Sequence, residues 1–445
     1  MMIRMLVTVS ALMSAGPALA VDLMDIFGQA QINDARYAVA KAQYLAQQER
    51  LPQAKAGLRP NINFDAAYNY NQLDVQYEAG AGNFNSGRRN YDAYNYGISL
   101  TQPLYRRQNT LAVDQAQVQV TQASTELELA NQDLVIRTAQ AYFDILLARF
   151  NLSTVRSQKA AVREQLEQAK RNFVVGTATI TDQREAQARY DLVVAQELGA
   201  ENDLRVTTEA LQLLIGQPVQ GELAGLKPGV SLTPPSPTDM NAWVDQAYAS
   251  SLQVLRSRQT LEIAQTEVKR QSAGHQPTLD LVGSLSHDNQ GSSAFGVGSD
   301  TDSALIGVQL NLPIYQGGVV SSRTREAVAQ QERAAQELED ARRAAAQATR
   351  EAYLGVTSGI AQVAAFEQAV ASTQLQLEAT KLGQQVGVRT AVDVLNAEQQ
   401  ISLARRDLAQ SVYNTILSQL RLQAAVGRLA EADLQDINRL LEEGN

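Results

Sequence analysis

Residues 61–71 read Asn-Ile-Asn-Phe-Asp-Ala-Ala-Tyr-Asn-Tyr-Asn, with Ile62, Phe64, Ala66, Tyr68 and Tyr70 alternating with Asn61, Asn63, Asp65, Ala67 and Asn69. A period of two marks a strand with one apolar and one polar face. The alternation resumes over 91–101, where Tyr94, Tyr96, Ile98 and Leu100 are set against Asn95, Gly97, Ser99 and Thr101. A loop holding Gly80, Gly82 and Gly87 separates the two runs. Two further strands are predicted at 278–287, with Leu279, Leu281 and Leu285, and at 304–312, with Ile306, Val308, Leu310 and Leu312. Each run is about ten residues, the length of a tilted strand crossing a bilayer. A pair of soluble hairpins with one wet face would carry the same pattern, so the choice rests on what surrounds the strands. Four membrane strands do not close a barrel, because about eight is the smallest number that does. An open edge in lipid leaves backbone groups unpaired at several kcal/mol each, so the barrel has to be shared between copies of the chain.

The surroundings favour the membrane. Residues 1–4 are basic, 5–15 are apolar, and Ala18-Leu19-Ala20 is a small-x-small cleavage site, so 1–20 read as a secretory signal peptide. No later run offers the uninterrupted apolar stretch of about 18 residues that a membrane helix needs. The chain has no cysteine, which excludes disulfides, thiolate metal sites, a cysteine nucleophile and an N-terminal lipid-bearing cysteine. A net charge of −9 argues against nucleic acid as a partner. His275 and His287 are the only histidines and have no zinc-ligand spacing. There is no Gly-x-Ser-x-Gly elbow, phosphate loop or dinucleotide fingerprint. The sequence therefore predicts no enzyme activity, no cofactor and no metal.

The chain also repeats itself. Tyr142, Gly176, Asp182, Ala186, Leu211-Gln212 and Gly216 recur as Tyr353, Gly387, Asp393, Ala397, Leu422-Gln423 and Gly427, about 211 positions later. Gly97, Pro103 and Tyr105 recur as Gly307, Pro313 and Tyr315. Two repeats are predicted, 21–217 and 239–427, with a Pro-rich irregular linker over 218–238 and a tail over 428–445. Each has a helix, two membrane strands, a long helix and a final helix. In the first, the helices run from about 23 to 56, 111 to 174 and 182 to 214. In the second they run over 241–272, 322–385 and 391–426. The long helices contain no proline and span about 100 Å at about 1.5 Å per residue. The fold class is thus mainly α with a small membrane β part, the two shorter helices of each repeat stacking end to end beside the long one. Leu, Val and Ala at three- and four-residue spacing supply the seams.

The helix-joining turns read Phe173-Val-Val-Gly-Thr-Ala-Thr-Ile-Thr-Asp182 and Val386-Gly-Val-Arg-Thr-Ala-Val-Asp393-Val-Leu-Asn396. With Gln102-Pro103-Leu104-Tyr105 and Leu312-Pro313-Ile314-Tyr315 at the strand exits, the whole mature chain resembles the TolC family of outer-membrane channels. The resemblance implies a homotrimer with a 12-strand β-barrel continuing into a periplasmic α-helical barrel closed by an iris. It implies a place in the Gram-negative outer membrane, in contact with its lipid. Partners would be a periplasmic adaptor and an inner-membrane ABC or RND transporter, which would supply the energy. The function implied is the passive, gated exit duct of type I protein secretion or multidrug efflux. The resemblance leaves the cargo open, although the absence of a lipid-bearing cysteine leans towards the branch that includes protein-secretion ducts.

Thr179 with Asp182, and Thr390 with Asp393, fit capping boxes at helix N-termini. In a symmetric trimer each such Asp forms a ring of three carboxylates, which selects cations. By resemblance Asp393 matches an entrance-ring acid, while the second ring position holds Asn396. Arg389 would hold the gate shut against Thr181 and Asp182 of a neighbouring hairpin. The tyrosine that joins this network in the family is Gln384 here. The turns at Val175, Gly176 and Thr177, and at Val386, Gly387 and Val388, are the expected adaptor-docking points. The competing reading is an exported coiled-coil scaffold without channel activity, which has no use for the aromatic-lined strands.

Overall fold

The computed structural model describes residues 21–76, 86–227, 229–293 and 297–442. The signal-peptide segment and the loop glycines Gly80 and Gly82 lie outside the described residues. The helices are α1 (Leu23–Asn33), α2 (Ala35–Gln48), α3 (Arg50–Ala56), α4 (Arg107–Val174), α5 (Ile180–Ile215), α6 (Met240–Ser250), α7 (Leu252–Ser272), α8 (Val319–Gln385), α9 (Ala391–Ala425) and α10 (Glu431–Asn438). The strands are β1 (Asn61–Val75), β2 (Gly87–Tyr105), β3 (Thr278–Gln290) and β4 (Ser299–Asn311). The chain divides into two compact units. One holds Ala42–Glu126 and Leu255–Ala341, and the other the described parts of 1–41, 127–254 and 342–445.

The first unit carries one antiparallel sheet in the order β1-β2-β3-β4. Register assembles the alternating residues of all four strands into two faces. Ile62 faces Leu100, Leu100 faces Gly283 and Gly283 faces Ile306; one rung on, Phe64, Ile98, Leu285 and Ala304 align. Of these, Ile62, Phe64, Ile98, Leu285 and Ile306 are exposed, Ile306 by 82%, and Leu100 is partly buried. The opposite face carries Asn63, Ser99, Ser284 and Leu305, then Asp65, Gly97, Ser286 and Ser303. Both outer strands, β1 and β4, leave one edge unpaired within the chain.

The strands run to 13–19 residues, past the ends that alternation predicts. The reason is visible in β1 and β2. Beyond Tyr70 the parity reverses, with Gln72 and Asp74 on the apolar side and Leu73 and Val75 on the polar side, while pairing continues through Gln72–Asn90 and Asp74–Arg88. Backbone pairing needs no apolar face, so alternation measures only the amphipathic part of a longer hairpin. At the other end Arg106 grips Asp280 with two bonds of 2.8 Å, tying the start of α4 to β3. Tyr105 donates to Gln276 over 3.1 Å at the same junction.

The second unit holds the principal core, in which Leu23, Ile26, Phe27, Leu134, Tyr142, Phe143, Ile416, Leu420 and Leu434 are buried. Two of the helices predicted as continuous are broken. Asp34 ends α1, and its carboxylate accepts the Tyr37 N–H at 2.7 Å, which caps α2. Pro52 stands in the first turn of α3, where the hydrogen bond it cannot donate is not required. In the second repeat Ser251 interrupts the run between α6 and α7. Asp34 and Ser251 stand 217 positions apart, the separation of Pro60 from Pro277, so the break is duplicated too.

The expected linker and tail are parts of this core. Leu223 bridges Val21, and Leu226 bridges Leu441. Asn438, at the end of α10, accepts from the Leu23 N–H at 3.0 Å and donates to Asp22 at 2.8 Å. The duplicated tyrosines fasten the connection, Tyr142 donating to the Ala224 carbonyl at 2.7 Å and Tyr353 to that of Thr238. The helices α5 and α9 end at left-handed glycines, Gly216 and Gly427. A Cβ on Gly216 would lie 3.0 Å from the Asn33 Cβ, and one on Gly427 only 2.1 Å from the Ser250 carbonyl oxygen.

Candidate functional site at the helical hairpin ends

The α4–α5 and α8–α9 hairpins turn in the same way. Gly176 and Gly387 are left-handed, at φ +79° and +81°, and their amides bond back to Phe173 and Gln384 at 3.0 Å. Thr177 and Val388 then donate to the Asn172 and Gly383 carbonyls at 2.8 and 2.9 Å, satisfying acceptors that a helix end leaves free. Only glycine takes this conformation without strain, which is why Gly recurs at the same place in both repeats.

Each following helix starts in a capping box. The Asp182 carboxylate accepts from the Thr179 amide and hydroxyl, both at 2.8 Å, and the Asp182 amide donates back at 3.2 Å. Asp393 repeats this with Thr390 at 2.8, 2.9 and 3.2 Å. The backbone amide, then the hydroxyl, hold both carboxyls below the ordinary aspartate range, and Arg389 lowers Asp393 further. These two acids are therefore anions at neutral pH, fixed at the ends of exposed helices.

The residues singled out from the sequence fall around these turns. Thr181 and Asp182 lie in the first turn of α5, and Gln384 is exposed one residue before the end of α8. Arg389 lies in the second turn, its amide donating to the Gly383 carbonyl at 3.1 Å and its side chain folded over Gly383. Asp393 and Asn396 stand three residues apart on α9 and share a side of the helix. Among the described residues of one chain, Arg389 forms no ion pair and Gln384 no hydrogen bond to Thr181 or Asp182. The turns expose Val175, Val386 and Val388, the last by 75%, along with Val174.

Sequence reasoning missed the clasps within each hairpin. Arg156 bonds Glu201 at 2.8 Å, Lys159 bonds Glu197, and Lys381 bonds Glu398 at 3.0 Å. The signal was present, because residues at nearly equal distances either side of a hairpin turn face each other. It also missed Leu395, which packs against Val162 of α4 and Val193 of α5.

The chain matches the family described as outer membrane efflux protein over residues 26–217 and 243–428. It is 35% identical over 419 residues to outer membrane protein TolC of Vibrio cholerae, covering 94% of this chain and 93% of that one. It is 31% identical over 424 residues to the alkaline protease secretion protein AprF of Pseudomonas aeruginosa, covering 94% and 87%. Its fold is similar to the crystal structure of the Campylobacter jejuni CmeC outer membrane channel, with a TM-score of 0.78 at 16% identity over 94% of this chain and 90% of that one.

Proposed function

The chain belongs to the outer membrane efflux protein family, and on that premise we propose how it is built into a duct and gated. It is an outer-membrane exit duct for type I secretion or efflux, sited in the Gram-negative outer membrane and extending into the periplasm. Three copies share one barrel, each supplying β1 to β4. The observation that carries this reading is the sheet itself, with an exposed apolar face, a polar face and two unpaired edges. An apolar face satisfies lipid, a polar face satisfies a water-filled lumen, and joining edge β4 of one copy to edge β1 of the next pairs the remaining backbone groups.

The hairpin ends form the periplasmic entrance. Asp393 provides a ring of three carboxylates, and Asn396 leaves the next position uncharged, so cation preference rests on one ring. Arg389 meets Thr181 and Asp182 of the adjacent copy when the entrance is closed, and Gln384 stands beside this network. Val175, Gly176 and Thr177, with Val386, Gly387 and Val388, form the docking points for a periplasmic adaptor that links the duct to an inner-membrane ABC or RND transporter. Their exposed valines support this, since apolar side chains at a polar helix end gain most from a partner that covers them. The organisation into a leader over 1–20 and repeats over 21–217 and 239–427 belongs to the same reading. Detergent-extracted protein should migrate as a trimer and conduct ions in planar bilayers. Recovery as a soluble monomer would sink the shared barrel.

A further inference from the structure

Leu395 stands between the two proposed entrance residues, Asp393 and Asn396, but does not belong to the seam of its own hairpin. That seam is made by Val394, Ala397 and Ile401 of α9 against Leu377 of α8, with Val370 beside them. Leu395 projects from the neighbouring side of α9 into the groove between α4 and α5, where Val162 and Val193 receive it and Tyr190 flanks it. It is only 7% exposed, although its neighbours Asp393 and Asn396 are not buried.

The duplication makes the contact informative. At the equivalent place on α5 stands Arg184, which is exposed. The equivalents of Val162 and Val193 in the second hairpin are Thr373 and Ala404, both only partly buried. The knob therefore exists only in the second hairpin and the apolar groove only in the first. Two copies of one ancestral unit have diverged into complementary partners. Near the turns, the ion pairs among the described residues stay within their own hairpins: Arg156 and Lys159 with Glu197, and Lys381 with Glu398. Among the described residues Gln384 makes no hydrogen bond to Thr181 or Asp182. Val162, Val193 and Leu395 supply an apolar link between the hairpins there.

We propose that Leu395 is an apolar latch holding the second hairpin against the first within each chain, and that it sets the closed position of Asp393 and Asn396. The proposal rests on the duct reading. Burial of Leu395 fixes the rotation of the first turn of α9, and so the direction in which the entrance carboxylate projects. Withdrawal of Leu395 from the Val162–Val193 groove frees α9 to move away from α5. An apolar contact is not screened by salt, so the intrachain part of closure persists at ionic strengths that weaken charged contacts.

The chain has no cysteine, so an engineered pair gives an unambiguous cross-link. Leu395→Ala trimers in planar bilayers should at least double the single-channel conductance, while Leu395→Met restores the wild-type value. The Val193→Cys/Leu395→Cys pair should hold the low-conductance state when oxidised and show the raised conductance when reduced, whether or not the alanine variant assembles. Wild-type conductance in Leu395→Ala trimers overturns the latch, and so does a cross-linked pair whose conductance does not change on reduction. Failure of the duct reading looks different, because the wild-type protein would then conduct nothing.

Discussion

Arg137 holds Asp34 with two charge-assisted hydrogen bonds, 2.9 and 3.1 Å long, at a point where Asp34 is only 5% exposed. The same carboxylate caps α2, so one acid fixes both the break between two helices and their attachment to α4. Asp34→Ala should cost about 2–4 kcal/mol, because it removes the cap and leaves a half-buried guanidinium with only Asp133. The Arg137 bond holds the Asp34 carboxyl below its ordinary range. The stabilisation is thus complete above the ordinary aspartate value and is lost as pH falls through the lowered native one. Thermal melts of both proteins as a function of pH check this: the difference in melting temperature should shrink only in acid.

Gly427→Ala should damage assembly far more than Gly216→Ala. Both positions are left-handed, which costs a β-carbon about 1–2 kcal/mol. At Gly427 the new Cβ would also meet a backbone carbonyl oxygen, which cannot rotate away, whereas at Gly216 it meets a side-chain carbon. Trimer yield and melting temperature of the two variants should separate clearly, and equal loss would discount the clash.

Charge on the two faces of the sheet should act oppositely. Phe64→Lys places an ammonium on the lipid side and should cost about 2–4 kcal/mol if near the bilayer midplane, falling towards the interfaces. Asn63→Lys, one residue away on the lumenal side, should leave barrel stability nearly unchanged and shift ion selectivity towards anions. Folding titrations into lipid vesicles measure the first effect, and reversal potentials the second.

Asp393→Asn should lower cation preference, read as a smaller reversal potential in a salt gradient. The Thr390 bonds keep the native carboxyl charged below the ordinary aspartate range, so wild-type preference should outlast mild acid. Thr390→Val removes the hydroxyl contribution, so the preference should fade at a higher pH than in the wild type. Identical pH profiles would place the selective charge elsewhere.

Arg389→Ser should raise single-channel conductance, and the rise should be smaller at high salt, where the wild-type contact is already screened. Unchanged conductance at low salt would remove Arg389 from the gate.

Much of this was legible from residues because it is repeated or periodic. The amphipathic strands, the long helices and both capping boxes follow from alternation, spacing and the recurring Gly176/Gly387 and Asp182/Asp393. What escaped depends on distant partners. Asp34 reads as one more polar residue in a helix until Arg137, 103 positions away, is seen to bind it. Ser251 carries no local stop signal, and its break is intelligible only from the register it shares with Asp34. Leu395 looks like part of its own helix seam, and nothing in its neighbourhood shows that it faces another hairpin. The strand ends were short by several residues because water-exposed pairing leaves no hydrophobic trace.

Asn438 fastens Asp22 and Leu23 from 416 and 415 positions along the chain, while Leu226 joins Leu441. This braid sets a timetable. The start of α1 cannot complete these contacts until residues more than four hundred positions later have been made and exported. Contacts so remote in sequence form late and at high entropic cost. A chain cut short before Leu434 would leave the Leu23 amide and Asp22 without these partners, and would lack the α10 side chains Leu434 and Ile437 that complete the core. Packing of α1 is thereby coupled to that of α10.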